Sequence, residues 1–322
     1  MKLVFRFLAL LVAPMLAFAA FASSAVDYPK RMVRIVVPFP PGGATDTLTR
    51  LIAEKLSERW KQPVIVENRP GGNTMVGTDV VAKSDPDGHV LGVVTGSHII
   101  NPLLTSKIPY DTYKDLAPVM LITRFHMAIY ANRDFPANNP KELIELARKA
   151  DPKLAYASAT TQSYLGMELL NRMAGIEMEY VPYKGSAQAL SDLIGGHVKL
   201  MIDPVLLSTL QHVEQGKVKL IGTLGAQPAE LTPNAPRFSE AVPGYDFSAA
   251  FGLITRGGTP PEVIRKIRDD FAAVMELPEV AQRVKDIGQE KVASTPEEYA
   301  AYIEAETAKW KPIVEATGAR LD

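Results

Sequence analysis

Residues 32–66 read MVRIVVPFPPGGATDTLTRLIAEKLSERWKQPVIV, and their order decides the fold. Residues 32–37 are a β-branched run that Pro38 ends. From Thr45 the apolar side chains fall at Leu48, Leu51, Ile52, Leu56 and Trp60, one face of a helix. Residues 63–66 form a second apolar run. Two strands bridged by a helix predict a parallel βαβ unit. The glycines at 42 and 43 fall where the first strand turns into the helix.

The pattern continues along the chain. Asp85-Pro86-Asp87-Gly88 is a turn, and residues 90–94 are a strand. Asn139-Pro140 starts a helix, residues 154–157 are a strand, and a helix then runs to Gly175. Ile176, Met178 and Tyr180 alternate as a strand. A helix around Leu190 closes at Gly195-Gly196, and strands follow at 198–202 and 218–222. The last third reads as mostly helical, with Pro260-Pro261 opening one helix and a capping box of Thr295 and Glu298 opening another. Alternating strands and helices predict α/β architecture with mainly parallel sheets. The size, once a leader is removed, suits two cores rather than one. A boundary is expected near 122–125, between two strand-like runs, and a return crossing near 220–224. The expected division is 1–25 leader, 26–123 first lobe, 124–222 second lobe and 223–322 first lobe again.

Lys2 and Arg6 precede an uncharged apolar run from Leu8 to Ala20, and small residues follow at Ala20, Ala22 and 23–25. That order predicts a secretory signal, the run being shorter than the ~20 residues that span a bilayer. The absence of cysteine excludes a lipid-anchored form and any disulfide framework. The 322 residues carry 35 basic and 36 acidic side chains, and loss of Lys2 and Arg6 moves the net charge further negative. No basic stripe of a nucleic-acid binder is present.

Candidate chemistry lies in loops that follow strands. Residues 39–46, FPPGGATD, put glycines before a helix start, a geometry that binds anions through backbone N–H groups or simply makes a turn capped by Thr45 or Asp46. The spacing matches neither a P-loop nor a dinucleotide loop. Residues 68–73, NRPGGN, form a second glycine loop expected on the same sheet edge, with Arg69 either near an anion or facing solvent. Residues 158–163, SATTQS, carry more hydroxyls than a helix cap needs, which points to ligand contact. Tyr183-Lys184-Gly185 occupies a similar position, and Asp203 either faces a cleft or caps a helix. No catalytic residue, metal site or cofactor motif is found. There is no Gly-x-Ser-x-Gly elbow or His-Glu-x-x-His pair, and His89, His98, His126, His197 and His212 are isolated in sequence.

Taken together the chain resembles the Bug family, the extracytoplasmic solute receptors of tripartite tricarboxylate transporters. The resemblance spans the mature chain. It is carried by Tyr28-Pro29, Val37-Pro38-Phe39, 42–46 (GGATD), 66–72 (VENRPGG), Asp85-Pro86-Asp87-Gly88 and Tyr110. Asp115, Leu116, Pro118 and Val119 follow, then 181–185 (VPYKG), Phe238-Ser239-Glu240, Pro243-Gly244-Tyr245 and Gly258-Thr259-Pro260. It implies a two-lobed periplasmic binding protein fold with a hinge, a periplasmic monomer without cofactor, and a carboxylate held by loop backbone, hydroxyls and water. The ligand would be a di- or tricarboxylate, an aromatic acid or an acidic amino acid, passed to membrane permease subunits. By that analogy Pro41, Gly42, Gly43, Thr45, Asp46, Gly71, Gly72 and Asn73 form the first-lobe half of the site. Ser158, Thr160, Thr161, Ser163 and Lys184 form the second, with Asp203 as a further candidate. Relatives tend to have glycines and a Ser-His pair after the strand ending at Ala157. Here Thr160, Thr161, Gln162 and Ser163 stand instead, so the pocket is expected to be narrower or differently polar. A sensory ligand-binding module and a secreted α/β hydrolase are the competing readings.

Overall fold

The computed structural model describes residues 26–321; the expected leader, 1–25, lies outside them. In chain order the elements are β1 (Val33–Val37), α1 (Ala44–Trp60), β2 (Val64–Asn68), a 3₁₀ turn (Gly72–Thr74), α2 (Met75–Ala82), β3 (Val90–Val94) and α3 (Ser97–Leu104). A long β4 (Leu116–Asn132) precedes α4 (Pro140–Lys149), β5 (Leu154–Ser158), α5 (Thr161–Ala174), β6 (Met178–Pro182), α6 (Ser186–Gly195) and β7 (Leu200–Pro204). Then come α7 (Leu207–Glu214), β8 (Val218–Thr223), the short α8 (Phe238–Ala241), β9 (Ser248–Arg256), α9 (Pro261–Met275), α10 (Pro278–Asp286), β10 (Gln289–Lys291) and α11 (Pro296–Thr317).

β1 pairs in parallel with β2 and β3, as the first βαβ unit requires, and β5 pairs in parallel with β6 and β7. Antiparallel pairings join these two groups through β9 and β4, so the sheet is mixed. β4 belongs to both halves. Residues 116–126 pair with β9, and residues 127–132 pair with β7 and β8. The expected break at 122–125 is therefore one uninterrupted strand passing from lobe to lobe.

Each lobe buries both faces of its sheet. Val33, Ile35 and Val37 enter a cluster with Leu48, Ile52 and Leu56 of α1 and Phe271 of α9, while Val36 enters another with Val81, Tyr299 and Ile303. Alternation along an apolar run covered on both sides is what a buried strand between helices demands. In the second lobe Met127, Ile129 and Ala131 join Leu165 and Leu170 of α5, whereas Ala128 and Tyr130 join Ala189 and Leu193 of α6. Leu224, Phe238, Val242, Tyr245 and Phe247 also pack in the Leu165 cluster. Phe125 touches the first cluster and the second-lobe cluster alike, at the crossing.

Several of the expected caps form, although α1 starts after Gly43 without a side-chain cap from Thr45 or Asp46. Asn139 accepts from the Glu142 N–H, Gly175 and Gly196 end α5 and α6 in the left-handed region, and Thr295 and Glu298 make a reciprocal capping box. α11 then reaches across the molecule: Tyr299 and Ile303 pack with the first lobe, and Trp310, Ile313 and Val314 with the second.

Candidate functional site

β1, β2 and β3 end at Val37, Asn68 and Val94, and β5, β6 and β7 end at Ser158, Pro182 and Pro204. Open α/β sheets bind ligands outside the carboxyl ends of their strands. A cavity of about 520 Å³ lies there, between the lobes, within the size range of small-molecule sites. Its floor is apolar: Phe125 and Met127 of β4, Phe251 and Ala249 of β9, and Phe247 just before it. The Phe125 and Phe251 rings stand 5.3 Å apart.

The first-lobe wall is built by loops. The residue that shapes the first loop is Asp46. It is 2 % exposed, and its carboxylate accepts from the Gly42 N–H at 2.8 Å, Asn68 Nδ2 at 2.8 Å and Arg50 Nε at 3.1 Å. Burial pushes its carboxyl upward; the hydrogen bonds from Arg50, Gly42 and Asn68 and the Arg50 charge outweigh that and hold it at about 2. Asp46 therefore clips the two glycine loops together and does not line the cavity. Pro41, Gly42 and Gly43 are exposed and stand outside it as well; Thr45 lines it, with Pro38, Phe39 and Pro40.

The second glycine loop turns sharply. Gly71, Gly72, Asn73 and Thr74 all have positive φ, of 127°, 55°, 49° and 76°. Gly71 makes the first of these turns without a Cβ penalty, while β-branched Thr74 holds an unfavourable conformation that its surroundings must impose. Asn101 of α3, fully buried, supplies that support: its Nδ2 donates to the Asn73 carbonyl at 2.9 Å, and its Oδ1 accepts from Asn73 Nδ2 at 2.6 Å. Gly71 and Asn73 line the cavity; Gly72 does not, and Arg69 faces away, paired with Glu67.

The hydroxyl run divides its labour. Thr160 is the cap of α5, accepting from the Ser163 N–H at 3.1 Å, and its Oγ1 lies 2.7 Å from the Ser163 hydroxyl. Ser158 is buried and its hydroxyl has no hydrogen-bond partner among the described residues. All of Ser158, Thr160, Thr161 and Ser163 line the cavity, and so does Gln162. Lys184 is exposed and outside it; the neighbouring Ser186, first residue of α6, lines it instead. Asp203 lines the cavity and caps no helix, since α7 begins at Leu207 without a side-chain cap. Ser186 Oγ donates to Asp203 Oδ1 at 2.5 Å.

Reasoning from sequence missed Thr95 and Ser97, which line the cavity from the loop after β3. The same rule that located the other loops applies there, a small polar run after a strand. The aromatic floor had no local signal, because strand residues become cavity walls only where two lobes meet. Gly96 marks that meeting: a Cβ on it would lie 2.3 Å from Gln162 Nε2, so the α5 start reaches across to α3.

The site thus presents the starts of helices from both lobes, free hydroxyls and an apolar floor, with no Lys, Arg or His among the described residues lining it. No group of three or more His, Cys, Asp or Glu side chains among the described residues is placed to hold a metal ion. Residues 48–319 match the family model described as the tripartite tricarboxylate transporter family receptor. The chain belongs to this receptor family. Its similarity extends along the chain to Protein BugT of Bordetella pertussis, 30 % identical over 92 % of this chain and 93 % of that one. A protein of Pseudomonas sp. strain P51, from a tcbD-tcbE intergenic region, is 32 % identical over 89 % of this chain and 86 % of its own. Among solved structures, a protein from R. palustris with adipate superposes with a TM-score of 0.76 at 31 % identity, covering 91 % of this chain and 99 % of that one. The periplasmic binding protein BugD gives 0.73 at 30 % identity, covering 91 % and 99 %. The family is one of periplasmic solute-binding receptors with this two-lobed α/β fold, and in this chain no described helix is long and apolar enough to cross a membrane.

Proposed function

We propose that this receptor captures a small carboxylate in the interlobe cavity, outside the cytoplasm and as a monomer, and delivers it to the membrane permease of a tripartite transporter. The observation that carries this reading is the cavity wall itself. Helix starts and hydroxyls from both lobes converge on one cavity, and no cationic side chain among the described residues lines it. Such a wall suits an anion whose charge is spread over many N–H and O–H donors. The apolar floor suits a carbon chain. The relative from R. palustris is described with adipate and MatC from Rhodopseudomonas palustris with malate, which agrees with a carboxylate here.

Closure follows from the same wall, because only the closed form supplies contacts from both lobes and ligand then shifts the balance toward it. We put the hinge at the β4 crossing near Phe125 and at the entry to β9, where the strand pairings change from one half to the other. On this reading residues 224–247, which pack with the second lobe, move with it, and the return crossing comes later than the 222 expected from sequence. The test is a thermal-shift and calorimetric panel of mono-, di- and tricarboxylates, aromatic acids and amino acids. A ligand at a hundredfold excess over Kd is expected to add about 2.7 kcal/mol of stability. A panel that yields neither a shift nor heat overturns the proposal.

A further inference from the structure

The two ends of the cavity differ in chemistry. At the first-lobe end stand loop backbone and the hydroxyls of Thr45, Thr95 and Ser97; at the far end stands a carboxylate. Asp203, at the end of β7, is 4 % exposed and lines the cavity. Its Oδ1 accepts from Ser186 Oγ at the start of α6, and both that proton and the helix's positive end favour the ionised form. Its Oδ2 has no hydrogen-bond partner among the described residues. Beside it the neighbouring strand β5 ends at Ser158, whose buried hydroxyl is also without a partner. From β4, Tyr130 lies near enough to feel the Asp203 charge, and its hydroxyl donates to the Pro204 carbonyl at 3.3 Å rather than to Asp203. No cationic side chain lines the cavity to neutralise the charge, and burial, opposed by the Ser186 hydrogen bond, pushes the Asp203 carboxyl up to about 7.

We propose that Asp203 is the specificity-determining residue of this site, accepting a protonated nitrogen of the ligand at the end remote from its carboxylate, so that amino carboxylates are preferred and a second carboxylate there is rejected. The inference rests on the carboxylate-receptor reading. A ligand ammonium places donors where Oδ2 and Ser158 Oγ have none. A second ligand carboxylate instead meets a like charge on a buried side chain that no lining cation among the described residues neutralises, and one of the two must first take up a proton.

The experiment compares succinate, glutarate and adipate with the ω-amino acids of the same chain lengths by calorimetry at about pH 8, where Asp203 is mostly ionised. The best amino acid is expected to bind at least about tenfold more tightly than its matched diacid, a difference of about 1.4 kcal/mol. Asp203→Asn, which keeps an acceptor for Ser186, is expected to abolish that preference. Should the variant fold poorly, the wild-type protein decides: near neutral pH, in two buffers of different ionisation heat, the amino acid should release protons on binding and the diacid take them up. Diacids that bind as tightly as the amino acids, with the same ratio in Asp203→Asn or with no proton uptake, overturn this inference alone. Silence of every probe and of the wider acid panel overturns the receptor reading itself.

Discussion

Two aspartates show how environment divides one residue type into opposite roles. Asp46 is held at about 2 by its donors, below its unfolded value, so its contribution to stability is present above about pH 4 and is lost as pH falls toward 2. Asp203 has the reverse sign: raised to about 7, it leaves stability intact at low pH and erodes it as pH rises from about 4 to 7. Denaturation followed across that range is expected to show Asp46→Asn flattening the acid limb and Asp203→Asn removing the loss of stability between about pH 4 and 7. Identical pH profiles for wild type and both variants would contradict these assignments. At α5 the contacts separate a cavity-lining hydroxyl from the cap. Thr161→Ala is expected to lower ligand affinity about tenfold, the worth of one hydrogen bond to a charged group, because its hydroxyl lines the cavity without serving the helix. Thr160→Ala is expected to lower stability by about 1 kcal/mol, since its oxygen caps the helix. Calorimetry and melting curves on the pair check the division, which fails if the two substitutions act alike.

At the scale of elements, α11 and β4 tie the lobes together. Trp310 of α11 is 1 % exposed and stands edge-on to Phe247, with ring centroids 5.8 Å apart. Trp310→Ala should cost about 3–5 kcal/mol and lower the melting temperature by many degrees; a loss under about 1 kcal/mol would show that α11 does not brace the second lobe. Strands and helices with strong local signals were legible in sequence. β3 occupies the 90–94 run expected for it, and β1, β5 and β8 lie within a residue of theirs. β9 (Ser248–Arg256) was not, in a stretch that read as mostly helical. Its run of buried apolar residues lacks alternation because helices cover both faces, and such a run is as compatible with helix as with strand until its partners are known. The two strand-like runs around 122–125 were legible, but their continuity as β4 was not: one strand serving both lobes meets two environments, and its pattern changes midway.

For the whole molecule the question is closure. Gln162 of the second lobe rests against Gly96 of the first. Small-angle scattering should give a smaller radius of gyration with bound carboxylate than without, and an unchanged radius at confirmed saturation would remove the closure mechanism. Gly96→Val puts a side chain where the Gln162 amide lies, so calorimetry is expected to show binding weakened roughly tenfold, about 1.4 kcal/mol. The sequence by itself determined the α/β class, the βαβ start, most caps and turns, and that loops after strands line the cavity, because hydrophobic period, proline and glycine act over a few residues. It also determined the family through the order of those loops. Only the tertiary structure decided that Asp46 clips the two glycine loops and stands outside the cavity lining, that Lys184 stands outside and Ser186 inside, and that Asp203 lines the cavity. Those outcomes depend on which way a side chain points once two distant segments pack together, and no local pattern encodes that.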